Sequence, residues 1–197
     1  MPLLFILLHI HLAGAALAKL GISPKLVMLI IFLCLLGSAI NIPLFSRPID
    51  PAEFDTDTFD YFGFPSEIDR QVIAVNVGGA IIPLFICLYL LGKAPIKKTI
   101  IATLISSLIF YRLAKPMPMV GITIPLFIPP LIAATLALLL SPRNPTPIAY
   151  ISGVLGVLIG VDLMHINCLL TPGIMSIGGA GVFDGIFMVG VISALLG

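Results

Sequence analysis

Apolar residues in this chain come in blocks too long for the strands or amphipathic helices of a soluble domain. Residues 3–18 carry no charge, and the block closes only at Lys19. About 20 such residues cross a bilayer as a helix. Six further blocks follow, at residues 25–45, 71–91, 99–113, 122–140, 148–164 and from the glycines near 178 to the C-terminus. Turn residues separate them: GISP after the first, Pro116 and Pro118 after the fourth, SPRNPTP after the fifth. The expected architecture is an all-α, polytopic transmembrane bundle of about seven spans. Residues 1–197 form a single membrane domain, and its helices break at Gly-Gly motifs.

Composition agrees with this reading. Hydrophobic residues make up 59% of the chain and charged residues 10%, against about 25% charged in a soluble domain. A net charge of +1 excludes a nucleic-acid partner. Trp is absent, so an interfacial belt would rest on Tyr61, Tyr89, Tyr111, Tyr150 and basic residues. Cys34, Cys87 and Cys168 are scattered and read as buried free thiols. The N-terminus has no basic stretch before its apolar run, so it reads as a retained first span, although AGAALA imitates a cleavage site.

The one long polar interruption is residues 46–70. It holds seven of the nine acidic residues: Asp50, Glu53, Asp55, Asp57, Asp60, Glu67 and Asp69. DTDTFD lacks the glycine and spacing of a calcium loop, so a solvated extramembrane loop is expected, with a weak cation site or gating lid as the alternative. Basic loops stay cytoplasmic. Lys19, Lys25, Lys93, Lys97, Lys98 and Arg143 fall on one side, and Arg47, Arg70, Arg112 and Lys115 on the other. This places the N-terminus outside and the C-terminus inside.

Removing the loop acids leaves Asp162 in VLIGVDLMH and Asp184 in GGAGVFDGIF. An ionised carboxylate at the bilayer centre costs about 2.5–3.5 kcal/mol on insertion scales. Such acids face a bundle interior or a wet cavity and mark functional sites. Gly178, Gly179 and Gly181 precede Asp184, and each glycine weakens a helix by about 1 kcal/mol. Residues 176–181 are therefore expected to be unwound, aiming free N–H groups at whatever binds there. Close helix packing through Gly181 and Gly185 is the alternative. AVNVGGA echoes IMSIGGA and puts Asn76, Gly78 and Gly79 in a second break. His165 follows Asp162 at helical spacing. A DxxH metal pair lacks an evident third ligand, and no metal or cofactor is expected.

These motifs carry a resemblance. VNVGG, GITIPLFIPPL, IGVDLMH and SIGGAGVFDGIF, from about residue 71 onward, resemble a domain-of-unknown-function family of prokaryotic integral membrane proteins. That implies a membrane location and no activity. A looser similarity is to GxGD-type intramembrane aspartyl proteases, although the spacing here is GxGxxD and no Pro-Ala-Leu motif follows. The favoured reading is the hydrolase, with a transporter or channel as its alternative. In a diaspartyl hydrolase of a membrane peptide, Asp162 and Asp184 are the catalytic pair. In a small ion- or proton-coupled transporter or channel they bind a cation or proton. Asn76, Gly78, Gly79, Ser176, Gly178, Gly179 and Gly181 would line the ligand or substrate site in either case. A non-catalytic membrane scaffold is the third reading. Expected partners are membrane lipid and either a membrane peptide or a small cation.

Overall fold

A computed structural model describes residues 2–48, 70–117, 121–168, 173–179 and 185–197, with side chains from residue 11 in the first helix and from residue 186 in the last. The acidic loop, apart from its flanking residues 46–48 and 70, lies outside the described residues, as do Gly181 and Asp184. In chain order the elements are α1 (Pro2–Lys19), α2 (Pro24–Ser38), β1 (Asn41–Pro48) and β2 (Arg70–Asn76). A π-helical turn, Val77–Ile81, leads into α3 (Ile82–Leu91). Then come α4 (Ile96–Leu113), β3 (Lys115–Met117), β4 (Gly121–Thr123), α5 (Ile128–Leu140) and α6 (Thr146–Val157). A second π-helical turn, Leu158–Leu163, extends α6, and β5 (Gly173–Ile177) and α7 (Gly185–Leu196) complete the chain.

Among the described residues the structure is 65% helical with seven helices, and it also contains β-sheets, so the all-α expectation is corrected. The larger sheet has the order β1-β2-β5. β1 and β2 run antiparallel from Asn41↔Asn76 to Pro48↔Arg70. β2 and β5 run parallel from Gln71↔Gly173 to Val75↔Ile177. Local chemistry accounts for the difference. The second block was expected to stay helical to residue 45, but Ser38 Oγ turns back to donate to the Leu35 carbonyl at 2.7 Å and ends α2. Pro43 then forbids a helical hydrogen bond. In the third block Val72, Ile73 and Val75 favour a pleated strand over a helix. Pro129 and Pro130, expected inside the fifth span, instead sit in the first turn of α5, where a missing N–H costs nothing.

α6 is the axis of the bundle. Every residue from 147 to 154 is buried, with α3, α4, α5 and α7 packed around it. α1 packs on α7 and α2, and α2 also packs on the first π-helical turn. The outer helices turn apolar side chains away from this core. Phe32 on α2, Leu88 on α3, Leu104 on α4 and Leu139 on α5 are each more than half exposed. Basic loops gather at one end. Lys19 Nζ donates to the Leu195 carbonyl at 3.0 Å, Lys93 Nζ to the Leu20 carbonyl at 3.1 Å, and Asn144 Nδ2 to the Lys93 carbonyl at 3.1 Å.

Among the described residues one helix, Thr146–Leu163, is long and apolar enough to cross a membrane, and 78% of it is buried inside the protein. The helices Pro24–Ser38, Val77–Leu91, Ile128–Leu140 and Ile186–Leu196 are apolar but shorter. Among the described residues the helices are therefore shorter than the seven spans expected; strands and turns take over part of several predicted blocks. Cys34 and Cys87 are buried as expected, whereas Cys168 is exposed.

Packing at Gly78 generates a test. A Cβ there would collide with the Cys34 carbonyl and lie 2.6 Å from the Ser38 nitrogen. Gly78→Ala should lower stability by about 1–3 kcal/mol, the range for overpacking. Gly14→Ala, with only Val27 Cγ1 at 4.0 Å, should be neutral or stabilising by up to about 1 kcal/mol. Thermal unfolding of the two variants in detergent makes the comparison.

Candidate functional site

Asn41 is the hub where three segments meet. It opens β1, directly opposite Asn76 at the end of β2. Asn41 Oδ1 accepts from Asn76 Nδ2 at 3.1 Å and from Ser176 Oγ at 2.7 Å. Asn76 Nδ2 donates its other proton to the Ser38 carbonyl at 2.8 Å, and Asn76 Oδ1 accepts the Gly79 N–H at 2.8 Å. Fully buried Asn76 is therefore the N-cap of the first π-helical turn and ties β2 to the end of α2. Both of its N–H donors go to the fold, so it positions the Gly-Gly turn.

The two Gly-Gly motifs lie against each other. Their strands pair in parallel with Ala74 opposite Ser176, a stagger of two residues from the sequence echo that aligns Asn76 with Ser176. A Cβ on Gly79 would collide with the Gly178 carbonyl, and one on Gly178 would lie 2.6 Å from Ala80 Cβ. Gly178 and Gly179 have φ of +86° and +67°, a left-handed conformation that glycine adopts without steric cost. Ser176 and Ile177 thus end a strand and the two glycines form a turn. The expected helical break at 176–179 takes this form, while the break at 76–79 is a strand-to-helix junction.

Asp162 joins this crossing from the opposite element. The Gly178 N–H donates to Asp162 Oδ2 at 2.9 Å. Asp162 sits, half-buried, in the π-helical turn Leu158–Leu163. There the Met164 N–H reaches back to the Ile159 carbonyl at 2.9 Å. π-turns recur at functional sites because they redirect a side chain out of helical phase. His165 does not follow Asp162. It is buried, its Nδ1 lies 3.0 Å from the Val161 carbonyl and 3.1 Å from the Gly160 carbonyl, and its ring centroid lies 4.7 Å from that of Tyr111.

A second polar cluster braces the same region. Arg47 Nε donates to Gln71 Oε1 at 2.7 Å, Nη1 to Asn167 Oδ1 at 3.0 Å, and Nη2 to the Ile166 carbonyl at 2.9 Å. This guanidinium pins the segment after Asp162 to the sheet. Asn41, Arg47 and Gln71 are the residues that sequence reasoning missed. Asn41 carried a signal, since a lone Asn followed by Pro43 in an apolar run marks a helix end. The structure brings together Asn76, Gly78, Gly79, Ser176, Gly178, Gly179 and Asp162. Gly181 and Asp184 lie outside the described residues.

The profile of a family described as a protein of unknown function, DUF1614, matches residues 35–196. The chain belongs to the DUF1614 family. No curated protein and no solved structure matches it. The DUF1614 region starts inside α2 and ends on the last residue of α7, so the whole crossing falls within it. It reaches further toward the N-terminus than the resemblance read from residue 71, and so takes in Ser38, Asn41 and Arg47.

Asn76→Ala would leave the Gly79 N–H and the Ser38 carbonyl without their partner. Each buried orphan costs about 1–3 kcal/mol, whereas Ser176→Ala removes one hydroxyl proton shared between Asn41 Oδ1 at 2.7 Å and the Gly179 carbonyl at 3.1 Å, worth about 1 kcal/mol. Detergent melting should therefore rank Asn76→Ala well below Ser176→Ala in stability; equal losses would remove Asn76 from the centre of this arrangement.

Proposed function

We propose that the chain is an integral protein of the cytoplasmic membrane of a prokaryote, and that Asp162 is the proton- or cation-binding carboxylate of a small ion- or proton-coupled transporter or channel. The membrane placement is supported by the outward apolar side chains of α2, α3, α4 and α5. A soluble monomer rarely exposes apolar patches beyond a few hundred Å². The orientation, N-terminus outside and C-terminus inside, is supported by the meeting of the 19–25, 93–98 and 141–147 loops with the last helical turn at one end. A C-terminal fluorescent-protein fusion should then be bright and a C-terminal periplasmic phosphatase fusion inactive.

The observation that carries the site is the 2.9 Å bond from the Gly178 N–H to Asp162 Oδ2. An acid inside an apolar bundle is met there by interrupted backbone, the arrangement that transporters use at discontinuous elements. The donor set at the crossing is carboxylate, carbonyl and hydroxyl oxygen, which suits a proton or a hard cation. In proteoliposomes, Asp162→Asn should lower ion or proton flux by about 10- to 100-fold, as expected for losing a charged hydrogen-bonding ligand worth about 1.5–3 kcal/mol. Wild-type flux in that variant would remove the assignment.

One observation favours the hydrolase as a second reading. β5 is an extended segment leading straight into the Asp162 contact, and a peptide substrate would also be read in extended form. A pair of acids sharing one proton would then supply a base for water and an acid for the scissile carbonyl. In that case Asp162→Asn and Asp184→Asn would each abolish cleavage of a membrane peptide, and no ion flux would accompany the wild-type protein.

A further inference from the structure

The last carbonyls of a helix have no backbone donor of their own. At the end of the α6 axis this shortage falls beside Asp162. In an α-helix the Met164 N–H would bond the Gly160 carbonyl. Here it reaches one residue further, to the Ile159 carbonyl at 2.9 Å. The Ile166 N–H turns to the Leu163 carbonyl at 3.4 Å, and the Cys168 N–H to the His165 carbonyl at 2.8 Å. The Gly160 and Val161 carbonyls are met by a side chain instead. His165 Nδ1 lies 3.1 Å from the first and 3.0 Å from the second.

A carbonyl oxygen only accepts, so Nδ1 carries the ring proton. The ring is buried and packs on Tyr111 of α4, with centroids 4.7 Å apart and planes tilted by 37°. The π-helical turn is seated on the same helix, since a Cβ on Gly160 would collide with the Ser107 carbonyl. Such a turn holds one residue more than the α-turn it replaces, and one residue is about 100° of helical phase. Relaxing it to an α-turn would swing Asp162 off the Gly178 N–H that it meets at 2.9 Å.

We propose that His165 is a positioning residue for Asp162: its Nδ1–H closes the π-helical turn at Gly160 and Val161 and so keeps the carboxylate aimed at the Gly178 N–H. With Nδ1 committed to the backbone, the Asp162–His165 spacing serves geometry. The inference rests on Asp162 as the ligand-binding carboxylate of the proposed transporter or channel and adds the group that holds it in place.

Ring ¹⁵N spectra in detergent at alkaline pH read the tautomer, with His9→Gln and His11→Gln leaving His165 as the one histidine. Nδ1 should carry the proton; a bare Nδ1 with the proton on Nε2 would overturn the proposal. Labelling with carbonyl-¹³C isoleucine and ¹⁵N glycine selects Ile-Gly pairs, which occur at 159–160 and 177–178, so the Gly178 amide is read directly. Its proton shift should move in His165→Leu and His165→Gln as it does in Asp162→Ala. It should stay at the wild-type position in His165→Asn, whose Nδ2 is bonded to Cγ as Nδ1 is. A signal unmoved in the Leu and Gln variants, or displaced equally in the Asn and Gln variants, would overturn the proposal. In proteoliposomes, flux should fall about fivefold in His165→Gln, the size expected for one ordinary hydrogen bond, and recover in His165→Asn. Wild-type flux in His165→Gln, with Asp162→Asn impaired, would overturn it as well. Failure of the transporter reading is separable: it shows as unchanged flux in Asp162→Asn, whereas the tautomer and the Gly178 signal depend on the geometry alone.

Discussion

Backbone N–H and C=O groups that leave a helix inside an apolar bundle must find partners within the chain. That constraint organises everything around Asp162. α2 stops at Ser38, and its exposed carbonyl is taken by Asn76. The backbone that follows continues as β1, whose groups pair with β2, whose other edge pairs with β5. The Val77 N–H completes the ladder to the Ile40 carbonyl at 3.0 Å. Only glycine lets the next two crossings come close enough, at Gly78 against the end of α2 and at Gly79 against Gly178. Polar side chains at the hub thus take up the backbone groups left where α2 ends and the Gly-Gly turn begins.

The same geometry explains why one carboxylate can be held there. A charge in a medium of low effective dielectric is stabilised chiefly by donors fixed in advance. Gly178 supplies such a donor from a left-handed turn that a residue with a side chain would adopt only under strain. The π-helical turn supplies the aim, and Arg47 braces the segment just beyond it. Asp162 and His165, neighbours by helical spacing, are sent to different partners because the turn breaks that spacing.

Much of this was legible in the residues. Apolar blocks located the helices, and the two Gly-Gly motifs marked both interruptions. The echo between VNVGG and SIGGA corresponded to a real adjacency, with strands side by side. What the sequence hid was the strands themselves. Periodicity cannot separate a buried strand from a buried helix when every residue is apolar, so residues 41–45 and 71–76 were absorbed into spans. The β-branched run Val72, Ile73, Val75 was the available cue, and Asn76 gave it an end. Asn41 was hidden for the same reason, because its role depends on a partner far along the chain. The Arg47–Gln71 contact joins two ends of the acidic loop, and no spacing rule reaches across it.

The parallel pairing of β2 with β5 also has a consequence for biogenesis. About half of the chain separates Gln71 from Gly173, and during synthesis β2 emerges long before the strand that completes its hydrogen bonds. Through that interval one edge of β2 presents bare peptide groups. Until the final segment arrives, that edge is open to pairing with other chains. A ribosome stalled before residue 173 would release a polypeptide with a sticky, unfinished sheet, a natural signal for quality-control proteolysis.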